Sequence, residues 1–394
     1  MRHFVRVLKL LLVLGSAQLI ANERISHEVL FVSFDTAETL VWRELMQNNP
    51  ELSERSSVIC MATGAKLASE GAFSFLKGEQ IVILNDLLPQ RLARLSEDSL
   101  DKLSELSPHC VVTGMYSTSQ AEIAELYAKK GVNVIAFWDN PSSYEYLPKD
   151  LVGNVEKIVN IATYVLCPTE EIARDLNKRF SRQNTRVVGH PTIDSQVAEI
   201  LVKNTKEIEK KLPWTKDKPL MMYVGGYEEN ANAYEDSVHI FLEGVKDLGV
   251  KFDLLLQLHP RSDGCFESKV VKQMQSKYPE FPRTYISNSR EGISSFDAVA
   301  IADFVVANRS TLGFQAFLAG KKIAYVDVPQ TRYSNVFIDQ GLAPQFTVSD
   351  KFNGYLKNVS MQPSEDKKTS PIPCGGKERM SRIIESLSHP SAEE

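Results

Sequence analysis

Cysteine is scarce in this chain and nowhere grouped. The five among 394 residues, Cys60, Cys110, Cys167, Cys265 and Cys374, fall at no CxxC or metal-ligand spacing and mostly within apolar runs. That distribution argues against a disulfide framework and a zinc site, and no metal is expected. Excess positive charge is lacking too. The formal net charge is −5 and no nucleic-acid module is recognisable, so the composition points away from nucleic acid and toward a small substrate. What is present is ordinary for a globular chain: an apolar fraction of 43% and a length that suggests two domains.

The N-terminus has no apolar run long enough for a transmembrane helix. MRHFVRVLKLLLVLGSAQLIANE instead has a basic start, an apolar run from Leu10 to Leu14 extended by Ala17 to Ala21, and small residues at plausible cleavage points, which reads as a secretory signal peptide. Arg2, Arg6 and Lys9 also share one helical face, so a retained segment lying on an anionic membrane surface is the competing reading, with a buried first helix as a third. Residues 1–21 are set apart on this basis. Export to a periplasm or secretory pathway, or a place on the cytoplasmic face of a membrane, follows from which reading holds.

From Val29 onward apolar runs alternate with helical segments: 29–34, then DTAETLVWRELM; SSVICMATG, then AKLASEG; IVIL, then an amphipathic stretch to Leu106; HCVVTG, then STSQAEIAELYAKKG. Runs 133–139, 164–168 and 185–189 continue the series. This is the pattern of a parallel sheet covered on both faces, and it assigns 22–190 to a first Rossmann-like domain. Val197, Ile200, Leu201 and Ile208 keep helical spacing through 191–216, a connecting helix and linker. A second α/β series fills 217–394: LMMYVGG (220–226), FDLLLQLHP (252–260), RTYIS, 302–328, and a closing helix in KERMSRIIESL expected to pack back toward the first domain. The fold class is α/β, with two parallel-sheet domains facing across a cleft.

Within ADFVVANRSTLGFQAFLAGKKIAYVDV, Phe304 to Ala307 read as a buried strand, and Leu312, Gln315, Ala316 and Ala319 follow at helical spacing before Gly320. Ser310 or Thr311 then falls at the helix N-cap, where free N–H groups and the helix dipole suit a phosphate at the carboxyl end of a strand. An ordinary capped αβ turn has the same pattern.

The order of these signatures resembles the GT-B fold, the architecture of many nucleotide-sugar glycosyltransferases and of the non-hydrolysing UDP-N-acetylglucosamine 2-epimerases. VVGHPTID (187–194) resembles the inter-domain crossing, VGGYEEN (224–230) the first strand of the nucleotide-binding half, LHP (258–260) its histidine-proline strand end, and STLGFQAFLAGKK (310–322) its nucleotide-binding helix. The resemblance implies that Gly225, Gly226, Asn230, His259, Ser310, Thr311 and Gln315 contact a nucleotide-activated donor. Gln315 stands where the family usually has a ribose-binding glutamate, and an amide accepts there without the carboxylate's charge. His259 either meets a phosphate or base, or merely ends its strand. Where the epimerases have a His-Arg-Arg-Glu-Asn run, this chain has Gly226-Tyr227-Glu228-Glu229-Asn230, and Met115 stands at their strand-end aspartate. A thioether cannot move protons, so epimerase chemistry is not expected.

An inverting glycosyl transfer needs a base beside the acceptor. Asp35 and Asp139 end apolar strands on the carboxyl side and are the candidates, with Glu38 close to the first. Asp35 equally fits a helix N-cap, with Glu38 completing a capping box, and Asp139 a turn before Asn140-Pro141. His190 either lines the cleft or serves the crossing loop. The reading is a GT-B-like glycosyltransferase, or a phosphoalditol transferase, acting in envelope or glycan biosynthesis. Its donor, a nucleotide sugar or CDP-activated group, is a substrate rather than a cofactor, and its acceptor is a sugar or lipid-linked molecule. The alternatives are an exported two-lobed solute-binding protein and a GT-B scaffold without catalysis.

Overall fold

The computed structural model describes residues 28–84, 91–142, 144–225, 231–259, 262–288, 292–329, 334–359 and 369–388. The N-terminal segment set apart above, Gly226 to Asn230 and most of the loop before the closing helix lie outside them.

Among the described residues thirteen strands form two sheets, and every pairing is parallel. The first sheet holds β1 (Val29–Ser33), β2 (Ser56–Cys60), β3 (Ile81–Ile83), β4 (Cys110–Thr113), β5 (Asn133–Phe137), β6 (Tyr164–Cys167) and β7 (Thr185–Val187). Its spatial order is β3-β2-β1-β4-β5-β6-β7. The second holds β8 (Leu220–Gly225), β9 (Asp253–Gln257), β10 (Thr284–Ser287), β11 (Phe304–Asn308), β12 (Lys322–Val326) and β13 (Gln345–Phe346), in the order β10-β9-β8-β11-β12-β13. Each sheet grows outward in both directions from its first strand. The order therefore reverses between β1 and β4 in one sheet and between β8 and β11 in the other, and in doubly wound sheets ligands bind outside the carboxyl ends at that reversal.

The central strands are buried on both faces, which is why they read as continuous apolar runs. Under β1, Phe31 and Trp42 pack at 5.4 Å between ring centroids, and the indole N–H of Trp42 donates to the Val32 carbonyl at 2.9 Å. That bond lets the largest side chain of the helix Thr36–Gln47 be buried without leaving a polar atom unpaired.

The chain passes from the first sheet to the second through the helices Pro191–Leu201 and Thr205–Glu209. It returns in the closing helix Gly376–Ser388, whose Met380 and Ile384 join the core beneath β1 with Phe31 and Trp42. Two contacts set this return. Asp194, in the first turn of the connecting helix, accepts from the backbone N–H groups of Gly375 and Gly376 at 2.8 and 3.1 Å. Gly189, at φ +81°, lies so close to the Pro373 carbonyl that a Cβ would overlap it.

Local pattern and structure differ in three places. The amphipathic stretch after β3 is helical only over Glu97–Ser104, where Ser96 caps it by accepting from the Ser99 N–H. The two-residue strand β13 and the helix Val336–Asp339 are too short to show a period. Asp35 is the N-cap of Thr36–Gln47, accepting from the Glu38 N–H at 3.1 Å, but Glu38 does not close a capping box. Its carboxyl turns inward and accepts from the Phe34 N–H at 3.0 Å and from the Gln120 amide at 2.8 Å.

Candidate functional site

A cavity of about 360 Å³ opens between the halves at the carboxyl ends of the strands. From the first sheet come Asp35 after β1, Tyr116 after β4, and Trp138 and Asp139 after β5; from the crossing come His190 and Gln196; from the second sheet, Thr311, Phe314 and Gln315 follow β11. The cavity thus sits at the strand-order reversal of both sheets. Its position follows from topology, because the loops that leave neighbouring strands in opposite directions cannot cover the gap between them.

The first-half wall is acidic and poorly solvated. Asp139 is half-buried, and burial together with the nearby Asp35 carboxylate raises its pKa from 3.8 to about 7, against the opposing pull of Arg91 and Tyr116. Glu38 behind it is fully buried and raised well above the usual carboxylate range, by burial first and then by Asp35 and Asp139. The Tyr116 hydroxyl is buried and faces the Asp139 carboxylate, yet meets no hydrogen bond of acceptable geometry. Burial raises its pKa too, so it stays a phenol. Its ring rests edge-on against Trp138, whose indole N–H donates to the Ser142 carbonyl at 3.3 Å.

His190 is a buried neutral imidazole. Its Nε2 lies 3.1 Å from the Asp139 carbonyl oxygen and its Nδ1 3.2 Å from the Thr192 hydroxyl, and burial lowers its pKa to about 4. With Nε2 taken as the donor, the ring holds the β5 end that carries Asp139. His190 therefore both lines the cavity and ties the crossing segment to the first sheet.

The second-half wall carries no charge among its described lining residues. Thr311 occupies the N-cap position of the helix Leu312–Leu318 without a side-chain capping bond; the neighbouring Ser310 hydroxyl instead accepts from the Leu312 N–H at 3.3 Å. Arg309 enters this turn at φ +50°, a conformation unusual for a side chain with a Cβ, and its guanidinium pairs with Asp327 at 3.1 Å. Gln315 donates from its amide nitrogen to the Gln196 oxygen on the connecting helix, while its own oxygen is buried without a partner.

Of the residues singled out from the sequence, Asp35, Asp139, His190, Thr311 and Gln315 meet in this cavity. Ser310 adjoins it. Gly225 ends β8 against the ring of Tyr234, where a Cβ would overlap, and His259 follows β9; neither lines the cavity. Gly226 and Asn230 lie outside the described residues. Met115 is buried in the apolar core. Arg91, Tyr116, Trp138 and Gln196 line the cavity without having been singled out. Tyr116 is legible by the strand-end rule that finds Asp139, since it lies three residues past β4 and Asp139 two past β5; Arg91 and Gln196 have no such signal. Among the described residues no group of three or more His, Cys, Asp or Glu side chains is arranged to hold a metal, and no helix is long and apolar enough to cross a membrane.

No protein-family model matches the sequence, and no curated protein matches it. Solved structures do match. The UDP-GlcNAc 2-epimerase of Neisseria meningitidis, solved bound to UDP-GlcNAc, is 16% identical over 91% of this chain and 99% of its own, with a TM-score of 0.64. The UDP-GlcNAc 2-epimerase of Methanocaldococcus jannaschii is 13% identical over 91% and 99%, with a TM-score of 0.64. The wall teichoic acid polymerase TagF is 13% identical over 92% and 89%, with a TM-score of 0.51. At such identities the likeness establishes the fold, which is GT-B-like.

Proposed function

We propose that this protein is a GT-B transferase that moves a glycosyl or phosphoalditol group from a nucleotide-activated donor to a hydroxyl acceptor held against the first half. The observation that carries the reading is the position of Asp139. It is a carboxylate with a pKa near neutrality, at the carboxyl end of β5, facing across one cavity the strand-to-helix turn of the second half. Structural neighbours solved with UDP-GlcNAc or UDP support a nucleotide ligand for the same fold.

In this reading the turn at Ser310 and Thr311 meets the donor's phosphates through backbone N–H groups and hydroxyls, and Gln315 meets the ribose. Asp139, ionised above about pH 7, accepts the proton of the acceptor hydroxyl. The acceptor oxygen then bonds to the donor's sugar carbon or phosphorus. The bond from that atom to the nucleotide breaks, its electron pair leaving with the phosphate. Asp35 has a different part. It caps its helix and, by its charge, helps hold Asp139 at a basicity useful near neutral pH. Transfer is favoured over epimerisation because Met115 offers no proton-moving group at the end of β4.

The test is calorimetric titration with UDP and CDP beside thermal unfolding. A midpoint raised by either nucleotide, and a shift mostly lost in Ser310→Ala/Thr311→Ala, is expected. No response to any nucleotide at millimolar concentration would transfer support to a solute-binding lobe pair or a scaffold. Sequencing the mature N-terminus from the host separates export from a cytoplasmic membrane face.

A further inference from the structure

We infer that the first-half wall of the cleft carries a phosphoryl-binding subsite made by the Arg91 guanidinium and the Tyr116 hydroxyl. The inference rests on the transferase reading for the identity of the substrate, though not for the existence of the subsite.

Both side chains reach the same cavity. They are also tied together locally, because the Arg91 carbonyl accepts from the Thr118 N–H at 2.8 Å and so holds the arginine beside the turn that carries Tyr116. Each brings hydrogen-bond donors that no described residue accepts with good geometry. The Tyr116 hydroxyl is buried without a partner, a state that costs free energy unless a ligand atom relieves it. Arg91 is an exposed residue whose guanidinium makes no ion pair or hydrogen bond with any described residue, although its charge acts on Asp139. An arginine left unpaired in a concave, partly apolar site has the planar fork that matches phosphoryl oxygens.

The charges around the cavity narrow the choice further. Among the described lining residues Arg91 is the single cation, and Thr311, Phe314 and Gln315 opposite are neutral. A phosphoryl group on the first-half wall of this cavity therefore has one charged partner available, and the Arg91 charge, which also acts on Asp139, offsets part of the repulsion from that carboxylate. The group can belong to the donor nucleotide or to a phosphorylated acceptor. The chemistry recognised is the same.

The test compares wild type with Arg91→Gln and Tyr116→Phe, titrated at low salt with UDP, with glycerol 3-phosphate and with glycerol, after unfolding midpoints confirm folded variants. Arg91→Gln is expected to weaken binding of the phosphoryl compound that uses the subsite by about tenfold or more, and Tyr116→Phe by several-fold, with no change in the response to glycerol. An effect on glycerol 3-phosphate identifies an acceptor phosphate, and one on UDP a donor phosphate; either supports the subsite. UDP bound equally by all three proteins, with glycerol 3-phosphate also unaffected, overturns the subsite and leaves the donor reading intact. Arg91-dependent binding of glycerol 3-phosphate with no UDP binding overturns the donor reading and leaves the subsite. No phosphoryl compound bound by wild type overturns both.

Discussion

Gly114 lies directly against the carboxyl group of Glu38, with no room between them for a methyl group. The glycine at the end of β4 thereby makes the pocket in which Glu38 turns inward from its helix to bond Phe34 and Gln120, rather than closing a capping box with Asp35.

Gly114→Ala should therefore expel the Glu38 carboxyl from those bonds and destabilise the protein by about 2 to 4 kcal/mol, read as a lower denaturation midpoint at unchanged slope. A variant as stable as wild type would show that Glu38 is not held there.

Asp139 makes stability depend on pH. Its folded-state pKa of about 7 lies above the 3.8 expected in the unfolded chain, so the folded state binds the proton more tightly. The stability this contributes is full below about pH 4 and is lost as pH rises to about 7. Asp139→Asn should gain stability relative to wild type across that window and hold a constant advantage above it. Unfolding free energies at pH 4, 5.5, 7 and 8 give the difference curve, and a flat difference would contradict the raised pKa.

His190 slopes the other way. Burial lowers its pKa to about 4 from 6.5, so the folded state favours the neutral ring; its contribution is present above pH 6.5 and disappears as pH falls toward 4. His190→Gln should lose this dependence, and its stability relative to wild type should improve as the solution is acidified. The same unfolding series measures it; a relative loss on acidification would mean that the ring is protonated in the fold.

Arg309 is held at φ +50° while its guanidinium pairs with Asp327. Arg309→Ala loses the pair and keeps the backbone strain, whereas Arg309→Gly loses the pair and relieves the strain. The glycine variant should be the more stable of the two by about 1 kcal/mol. Equal stabilities would remove the strain from the account.

Gln315 donates to Gln196 and leaves its own oxygen unpaired. Gln315→Glu places a carboxylate against the Gln196 oxygen, so its gain in ribose binding, on the order of 1 kcal/mol, requires the Gln196 amide to turn its nitrogen toward it. Gln315→Glu combined with Gln196→Ala should then bind UDP less tightly than Gln315→Glu alone. Calorimetry on both variants decides, and identical affinities would sever the two residues.

The sequence by itself determined the two α/β series, the crossing near Gly189 and the closing helix, because strands buried on both faces and amphipathic helices leave periods that need no partner to be read. It also determined which chemistry ends up at strand termini: Asp35, Asp139 and Thr311 were legible from the rule that parallel sheets present ligands at carboxyl ends, and Gln315 from the family resemblance. Tertiary structure alone decided what those groups are. Asp35 and Asp139 both follow strands, yet only the burial of Asp139 beside the Asp35 carboxylate raises its pKa toward neutrality. Glu38 looks like a capping residue until Gly114, far along the chain, opens a pocket for it. Arg91, from the part of its amphipathic stretch that precedes the helix Glu97–Ser104, and Gln196, from the connecting helix, enter the site by folding. Periodicity is a local property of the chain, whereas a pKa, an unpaired donor or a cavity wall depends on which distant residues exclude water around it.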